Sequence, residues 1–355
     1  MSEKKRVVIA PASYKGTMEP RVAADAIAEA FPGWAQTLIP LADGGEGSLN
    51  ALMSRFNCRS EHAPCVDPLG RSIRAEYGLN ADGVAVIESA RCLGLGLVDP
   101  SERNVMAASS FGLGLMIKDA VSKGAQEIWI GLGGSAVVDG GIGMIRALGY
   151  QILNDKGATI HCPEDGLPTR IAKGDFKITA KLHVLTDVNN PLLGPEGAAM
   201  YMAQKGASKE QMTALHEFLH TSARAMEANC GRRLRDKEGA GAAGGLGMAF
   251  DFLGAQVLRG GPFFADVALL DEALEEADLL VTGEGAVDMQ TPRGKPVSIA
   301  IDRALSARVP VVVLCGSWRD YQPPRNVSIF TLQPWDGESP AEALTRLARQ
   351  VATLL

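Results

Sequence analysis

The 355-residue chain has no Cys-x-x-Cys pair, no block dominated by Lys and Arg, no apolar run approaching a membrane span, and no internal repeat or low-complexity tract. Each absence removes a class of function. Six cysteines at 58, 65, 92, 162, 230 and 315 without CxxC spacing, in a chain this long, read as reduced packing thiols of a cytoplasmic protein. A net charge of −6 and a pI near 5.5 argue against a nucleic-acid or anionic-membrane partner. The apolar stretch in "MSEKKRVVIAP" is four residues long and ends at Pro11, too short for a signal h-region. A G-x-x-x-x-G-K-[ST] phosphate loop is also missing, which removes the strongest short nucleotide signal.

What is present is ordinary in all but glycine. An apolar share of 46% and a charged share of 21% allow a sizeable core. The length exceeds the roughly 250–300 residues at which single cores stop growing, so two domains are expected. Forty glycines lie above the roughly 7% norm and cluster at 131–143, 239–247 and 283–294. Clustered glycines without a repeat suggest backbone brought close to a ligand.

Six short, β-branched runs end in turn signals: 6–11, 36–43, 181–187, 277–283, 309–316 and 327–332. Uninterrupted apolar runs suit parallel strands covered on both faces. Helical spacing at 19–31, 208–228, 296–307 and 339–355 completes a doubly wound α/β pattern. From 46 to 165 the texture changes to a helix at 45–56, a meander at 59–66, 71–79 and 83–89, then a helix, a strand at 127–132 and another helix. The expectation is therefore a discontinuous α/β domain, 1–45 plus 166–355, with a parallel six-stranded sheet, and an inserted mixed α/β domain at 46–165. The active site is expected in the cleft between them.

Several motifs follow strands, where ligands of open α/β sheets bind. "APASYKG" puts Ser13 and Lys15 after the first strand, with Lys15 suited to clamp phosphate or carboxylate. "PLADGGEG" puts Asp43 and Glu46 after the second; a turn with Asp as helix N-cap explains it equally well. "GLGGSAVVDGG" combines Gly133, Gly134 and Ser135 into an anion site for phosphate or a substrate carboxylate. It also fits G-x-G-x-x-A through Gly131, Gly133 and Ala136, with Asp155 beyond, in outline a dinucleotide fingerprint. "LTDVNNPLLG" ends a strand on Asp187, a general base or a metal ligand, before a turn at Asn190. "HEFLH" at 216–220 matches the zinc-protease pattern, but an amphipathic helix explains it, and only Glu227 or Glu238 is near as a third ligand, with no supporting pattern. "VTGEGAVDMQTPRGK" places Glu284 and Asp288 past another strand, with Arg293 and Lys295 following. Carboxylates for Mg²⁺ beside lysines for phosphate are the equipment of phosphoryl transfer.

The blocks "PASYKG", "PLADGGEG", "DPLGR", "GLGGSAVVDGG", "TDVNNPLLG", "QKGA", "GAGAAGGLG" and "TGEGAVDMQT" with "GK" after it occur in the order found in the bacterial glycerate kinase family, which the chain resembles from end to end. The resemblance implies ATP- and Mg²⁺-dependent phosphorylation of D-glycerate, with 2-phosphoglycerate favoured over 3-phosphoglycerate, on a flavodoxin-like domain carrying an inserted second one, with homodimerisation open. It further implies catalytic roles for Asp187, Lys15 and Asp43, with Asp187 taking the proton of the attacking hydroxyl. Substrate contacts fall to Ser13, Arg71, Ser135, Asp139 and Asn190, Arg71 gripping the carboxylate. Nucleotide contacts fall to Gly133, Gly134, Lys205 and Lys295, and Mg²⁺ to Glu284 and Asp288. The chain departs from the family pattern at Val137-Val138, usually Thr-Asn, and at Met289, usually Gly. A dinucleotide-dependent oxidoreductase of a small hydroxy acid, using Gly131, Gly133 and Asp155, is the alternative reading, and a non-catalytic hydroxy-acid binder the third.

Overall fold

In chain order the elements begin β1 (Arg6–Pro11), α1 (Pro20–Ala28), β2 (Ala35–Leu38) and α2 (Ser48–Arg55). There follow β3 (Arg59–Val66), β4 (Ser72–Leu79), β5 (Val84–Glu88), α3 (Ala90–Leu93), α4 (Phe111–Ser122), β6 (Glu127–Leu132) and α5 (Ile142–Ala147). Next come β7 (Gln151–Leu153), β8 (Arg170–Ala172), β9 (Lys181–Thr186), α6 (Lys209–Cys230), α7 (Ala242–Phe252) and β10 (Gln256–Arg259). The chain closes with α8 (Gly260–Val267), α9 (Leu270–Glu275), β11 (Leu279–Val287), α10 (Pro296–Ser306), β12 (Val311–Trp318), β13 (Val327–Thr331) and α11 (Pro340–Ala352). The structure, a computed structural model, describes residues 4–14, 16–174, 176–288, 291, 295–333 and 337–354.

Two units are present, Met1–Ala51 with Gly260–Leu355, and Leu52–Arg259. In the first, five strands pair in the order β13-β12-β11-β1-β2, every pair parallel. Numbered within the unit this is 2-1-3-4-5, the flavodoxin-like order, whose direction reverses between β1 and β11. Strand alternation builds its layers. Val7 and Ile9 pack with Ile27 of α1 and Leu344 of α11, while Val8 and Ala10 pack with Val297 and Ile301 of α10.

The second unit holds a six-stranded sheet in the order β10-β9-β6-β5-β4-β3. The meander β3-β4-β5 is antiparallel, and β5, β6, β9 and β10 run parallel. One core, from Ala63 to Phe252, covers one face of it.

The two-domain α/β class is as expected, but the parallel sheet has five strands, not six. The run at 181–187 became β9, which pairs with β6 and β10, so the inserted unit extends to Arg259 rather than residue 165. An apolar run reports burial on both faces; it carries no information on which sheet supplies the neighbours. β10 and α7 to α9 were not anticipated from the sequence; α7 in particular lies in a Gly- and Ala-rich stretch that reads as a loop.

That sequence has a second role. Residues 243–245, at the start of α7, are left-handed, and Gly140 donates its N–H to the Gly244 carbonyl at 3.0 Å. A Cβ on Gly244, at φ +72°, would stand 2.2 Å from the Val137 carbonyl oxygen. Here the glycines bring two loops together, backbone on backbone, rather than backbone to ligand. Gly244→Ala is therefore expected to destabilise the protein by about 2 kcal/mol or more, from backbone strain plus overlap. Urea unfolding measures it, and an unshifted midpoint would contradict the close approach.

Candidate active site

In the second unit the candidate residues gather at the carboxyl ends of β6 and β9. The last ladder pair is Leu132 with Thr186, so Gly133 and Asp187 are the first residues beyond neighbouring strand ends. Asp187 is exposed. The loop after β6 is pinned to residues 93–95: Ala136 N–H donates to Leu93, and Leu95 N–H donates to the Gly134 carbonyl. Within this loop Ser135 is buried, and the Lys205 ammonium donates to its Oγ at 3.1 Å and to the Val137 carbonyl at 2.7 Å. The departure from the family pattern at Val137 thus leaves a backbone acceptor in use.

Asn190 is 8% exposed, yet among the described residues neither its Oδ1 nor its Nδ2 has a hydrogen-bond partner. Buried amides without partners are uncommon and cost free energy, which an incoming polar ligand would recover. The backbone around it is held firmly. Gly241 N–H donates to the Asn190 carbonyl and Leu192 N–H to that of Arg235. Arg235 is fixed by Glu227, whose carboxyl is pulled down to about 2, first by the Arg235 guanidinium and also by the backbone N–H groups of Leu234 and Arg235.

Asp139 is placed differently from the sequence expectation of a substrate contact. Fully buried, its carboxylate accepts from Ser110 N–H and Oγ–H and from the N–H groups of Gly141 and Gly143. Burial pushes its pKa up and those four bonds pull it back. Such saturation ties the starts of α4 and α5 together and leaves no surface for substrate. Arg71 is likewise engaged, with Nε on Asp67 at 2.5 Å, Nη1 on Glu102 at 2.9 Å and Nη2 on the Leu97 carbonyl at 3.0 Å. A substrate carboxylate would compete with all three.

In the first unit the candidates lie at the carboxyl ends of β1, β2 and β11, about the reversal of strand order where ligands of such sheets bind. Ala12 N–H donates to Gly283, and the fully buried Tyr14 donates its hydroxyl to the Leu314 carbonyl at 2.7 Å. The Tyr14 ring crosses Gly283, where a Cβ would come within 2.4 Å of the hydroxyl. Ser13 is thereby anchored at the strand end; Lys15, beside it, lies outside the described residues, as do Met289 and Arg293. Asp43 accepts Gly45 N–H at 2.8 Å, the simple turn weighed at the sequence level, and Glu46 is exposed.

Glu284, Asp288 and Lys295 do come together. The Lys295 ammonium lies 3.7 Å from Glu284 and 3.9 Å from Asp288. Thr291 donates its hydroxyl to Glu284 at 3.1 Å and accepts Asp288 N–H. Glu284 is buried, Asp288 more open. No group of three His, Cys, Asp or Glu able to hold a metal occurs among the described residues. The donor set does not suit a permanent metal cage. It fits Mg²⁺ arriving with a nucleotide, because that ion keeps water and phosphate oxygens in its shell and takes one or two carboxylates.

Two sequence patterns lose their chemical reading. A dinucleotide fingerprint needs a helix opening directly after the strand, but nine residues separate Leu132 from the start of α5. Asp155 is an exposed turn residue following β7 of a separate two-stranded ribbon. In "HEFLH" both His216 and Glu217 face solvent on α6, whose buried side runs through Leu215, Phe218, Leu219 and Ser222. Conversely, the end of β5 went unnoticed in the sequence. Glu88 pairs with Gly131 across the ladder and is 4% exposed, and Ser89 Oγ is buried without a hydrogen-bond partner among the described residues. The rule that selected Asp187, an acid ending an apolar run, applies equally to "VIES".

Comparison with known proteins gives the family. The model of the glycerate kinase family matches residues 7–352. A Bacillus subtilis glycerate kinase is 39% identical over 88% of this chain and 85% of its own length. The Escherichia coli K12 glycerate 2-kinase is 36% identical over 89% and 86%. A crystal structure from Salmonella typhimurium LT2, assigned as glycerate kinase 2, superposes with a TM-score of 0.81 at 34% identity, covering 99% of this chain and 98% of that one.

The buried lysine has a measurable signature. Desolvation lowers the Lys205 pKa to about 8, against an upward pull from Asp139. Since the unfolded chain binds its lysine proton up to a higher pH than the folded one, this group favours folding increasingly as pH rises from about 8 to about 10.5, and that stability is lost again as pH falls. Lys205→Met should abolish this rise, worth up to about 3 kcal/mol, when its urea stability is compared with wild type across that window. Parallel pH profiles for the two proteins would contradict a depressed Lys205.

Proposed function

The chain belongs to the glycerate kinase family, and from that premise we propose that this enzyme transfers the γ-phosphoryl group of ATP to the 2-hydroxyl of D-glycerate. The observation that carries the proposal is the meeting of Glu284, Asp288 and Lys295 beside the reversal of strand order in a parallel sheet. Phosphoryl transfer asks little covalent chemistry of a protein; it asks for charge and position. Glu284 and Asp288 would hold the Mg²⁺ that arrives with ATP, an ion that neutralises charge on the phosphate oxygens. Lys295 then faces the phosphate oxygens.

In the other unit, Ser135, Lys205 and Asn190 are suited to the glycerate carboxylate and its hydroxyls: one cation, one hydroxyl and one unpartnered amide. They fit better than Arg71, whose guanidinium already serves Asp67 and Glu102. Asp187, open at the end of β9, takes the proton of the attacking hydroxyl. The new oxygen–phosphorus bond forms as the bond to the ADP oxygen breaks, and the departing charge is met by Lys295. Choice of the 2-hydroxyl is supported by the relative named glycerate 2-kinase. Six free thiols accord with a cytoplasmic setting.

Incubation with ATP, Mg²⁺ and D-glycerate should yield 2-phosphoglycerate by phosphorus NMR; 3-phosphoglycerate would overturn the regiochemistry, and no phosphoglycerate the function. Asp187→Asn should lose about 10²-fold or more in kcat as a missing general base. Near-normal turnover would remove Asp187 from that role.

A further inference from the structure

Trp318 is 42% exposed, unusual for the residue type with most to gain from burial. It ends β12 directly across the ladder from Val287, the neighbour of Asp288, and Arg319 N–H continues the pairing to the Val287 carbonyl. The indole is not loose. Its Nε1–H donates to the Tyr321 carbonyl at 2.8 Å, across a turn whose Asp320 takes φ +52°, an uncommon conformation for a residue with a side chain. A large aromatic surface is therefore presented to solvent and held in one orientation, beside the acids and lysine described above.

Spacing defines what it can meet. Val287 lies three residue steps beyond Glu284, about 10 Å along β11, the order of the reach from a nucleotide's outer phosphates to its base. Resting on the kinase reading of Glu284, Asp288 and Lys295, we infer that the Trp318 indole is the platform on which the purine base of the nucleotide stacks. Stacking area, larger for purines than for pyrimidines, then sets the preference.

Calorimetry and intrinsic fluorescence test this on the intact protein. Wild type should bind ADP with quenching of tryptophan emission, and Trp318→Phe should remove most of that quench. Trp318→Ala should weaken ADP about 10-fold, the scale of one base–aromatic stack, and Trp318→Phe only a few-fold. Inorganic triphosphate, which has no base, should bind wild type and Trp318→Ala alike, which also reports that the variant is folded. KM for ATP should rise in Trp318→Ala while KM for glycerate stays within about 2-fold, a split that a general structural defect would not give. Equal ADP affinity in wild type and Trp318→Ala, or no ADP binding by wild type, overturns the assignment. ADP binding that depends on Trp318 without phosphorylation of glycerate would leave the platform standing and remove the proposed reaction.

Discussion

The arrangement in the second unit depends on two glycine-rich loops touching through their main chains. Because Gly244 lies against Val137 and its carbonyl takes the Gly140 N–H, the loop after β6 is fixed from outside rather than by its own turns. The Val137 carbonyl, so positioned, is one of the two acceptors that hold the buried Lys205 ammonium. The same loop carries Asp139, whose four hydrogen bonds join the starts of two helices to it. Burying a lysine with so little compensation is costly, and only a rigid surround retains it. A charge held in that way costs no reorganisation when an anion arrives.

The first unit solves its own positioning problem with an aromatic ring. Tyr14 crosses Gly283, a strand position without a side chain, and bonds to the next strand over, tying the loop after β1 to β11 and β12 together. Burial, with Cys315 and Glu284 nearby, pushes its pKa well up, so the hydroxyl keeps its proton and remains a donor. Ser13 is carried by this anchored loop, and Glu284 emerges from the strand beneath it.

Much of this was legible in the sequence because the physics was local. β3, β6 and β1 begin and end where apolar pattern and turn residues placed them, and α6, α10 and α11 fall within a few residues of their periodic stretches. Strand-end acids and lysines were legible through one topological rule, which led to Glu284, Asp288 and Lys295. The illegible parts were long-range. Whether Lys181–Thr186 joins one sheet or another depends on partners more than fifty residues away, and Asp139 looks like any loop acid until its four donors are assembled around it. Arg71 offered a free fork on paper, and Asp67 and Glu102 occupy it. Glycine misled in a specific way, because close approach has the same signature whether the neighbour is a phosphate or another peptide.

The discontinuity of the first unit bears on how the chain is made. β1 is an interior strand, yet its partner β11 lies 272 residues further on: Val7 pairs with Leu279. During synthesis the segment through α2 leaves the ribosome with one edge of β1 unpaired, and it stays so while the whole of Leu52–Arg259 is translated. The second unit, continuous in sequence, can close its core in that interval, since domains fold as units. The open edge of β1, an apolar strand of a kind prone to pair with other chains, is then the species most in need of protection in the newborn protein.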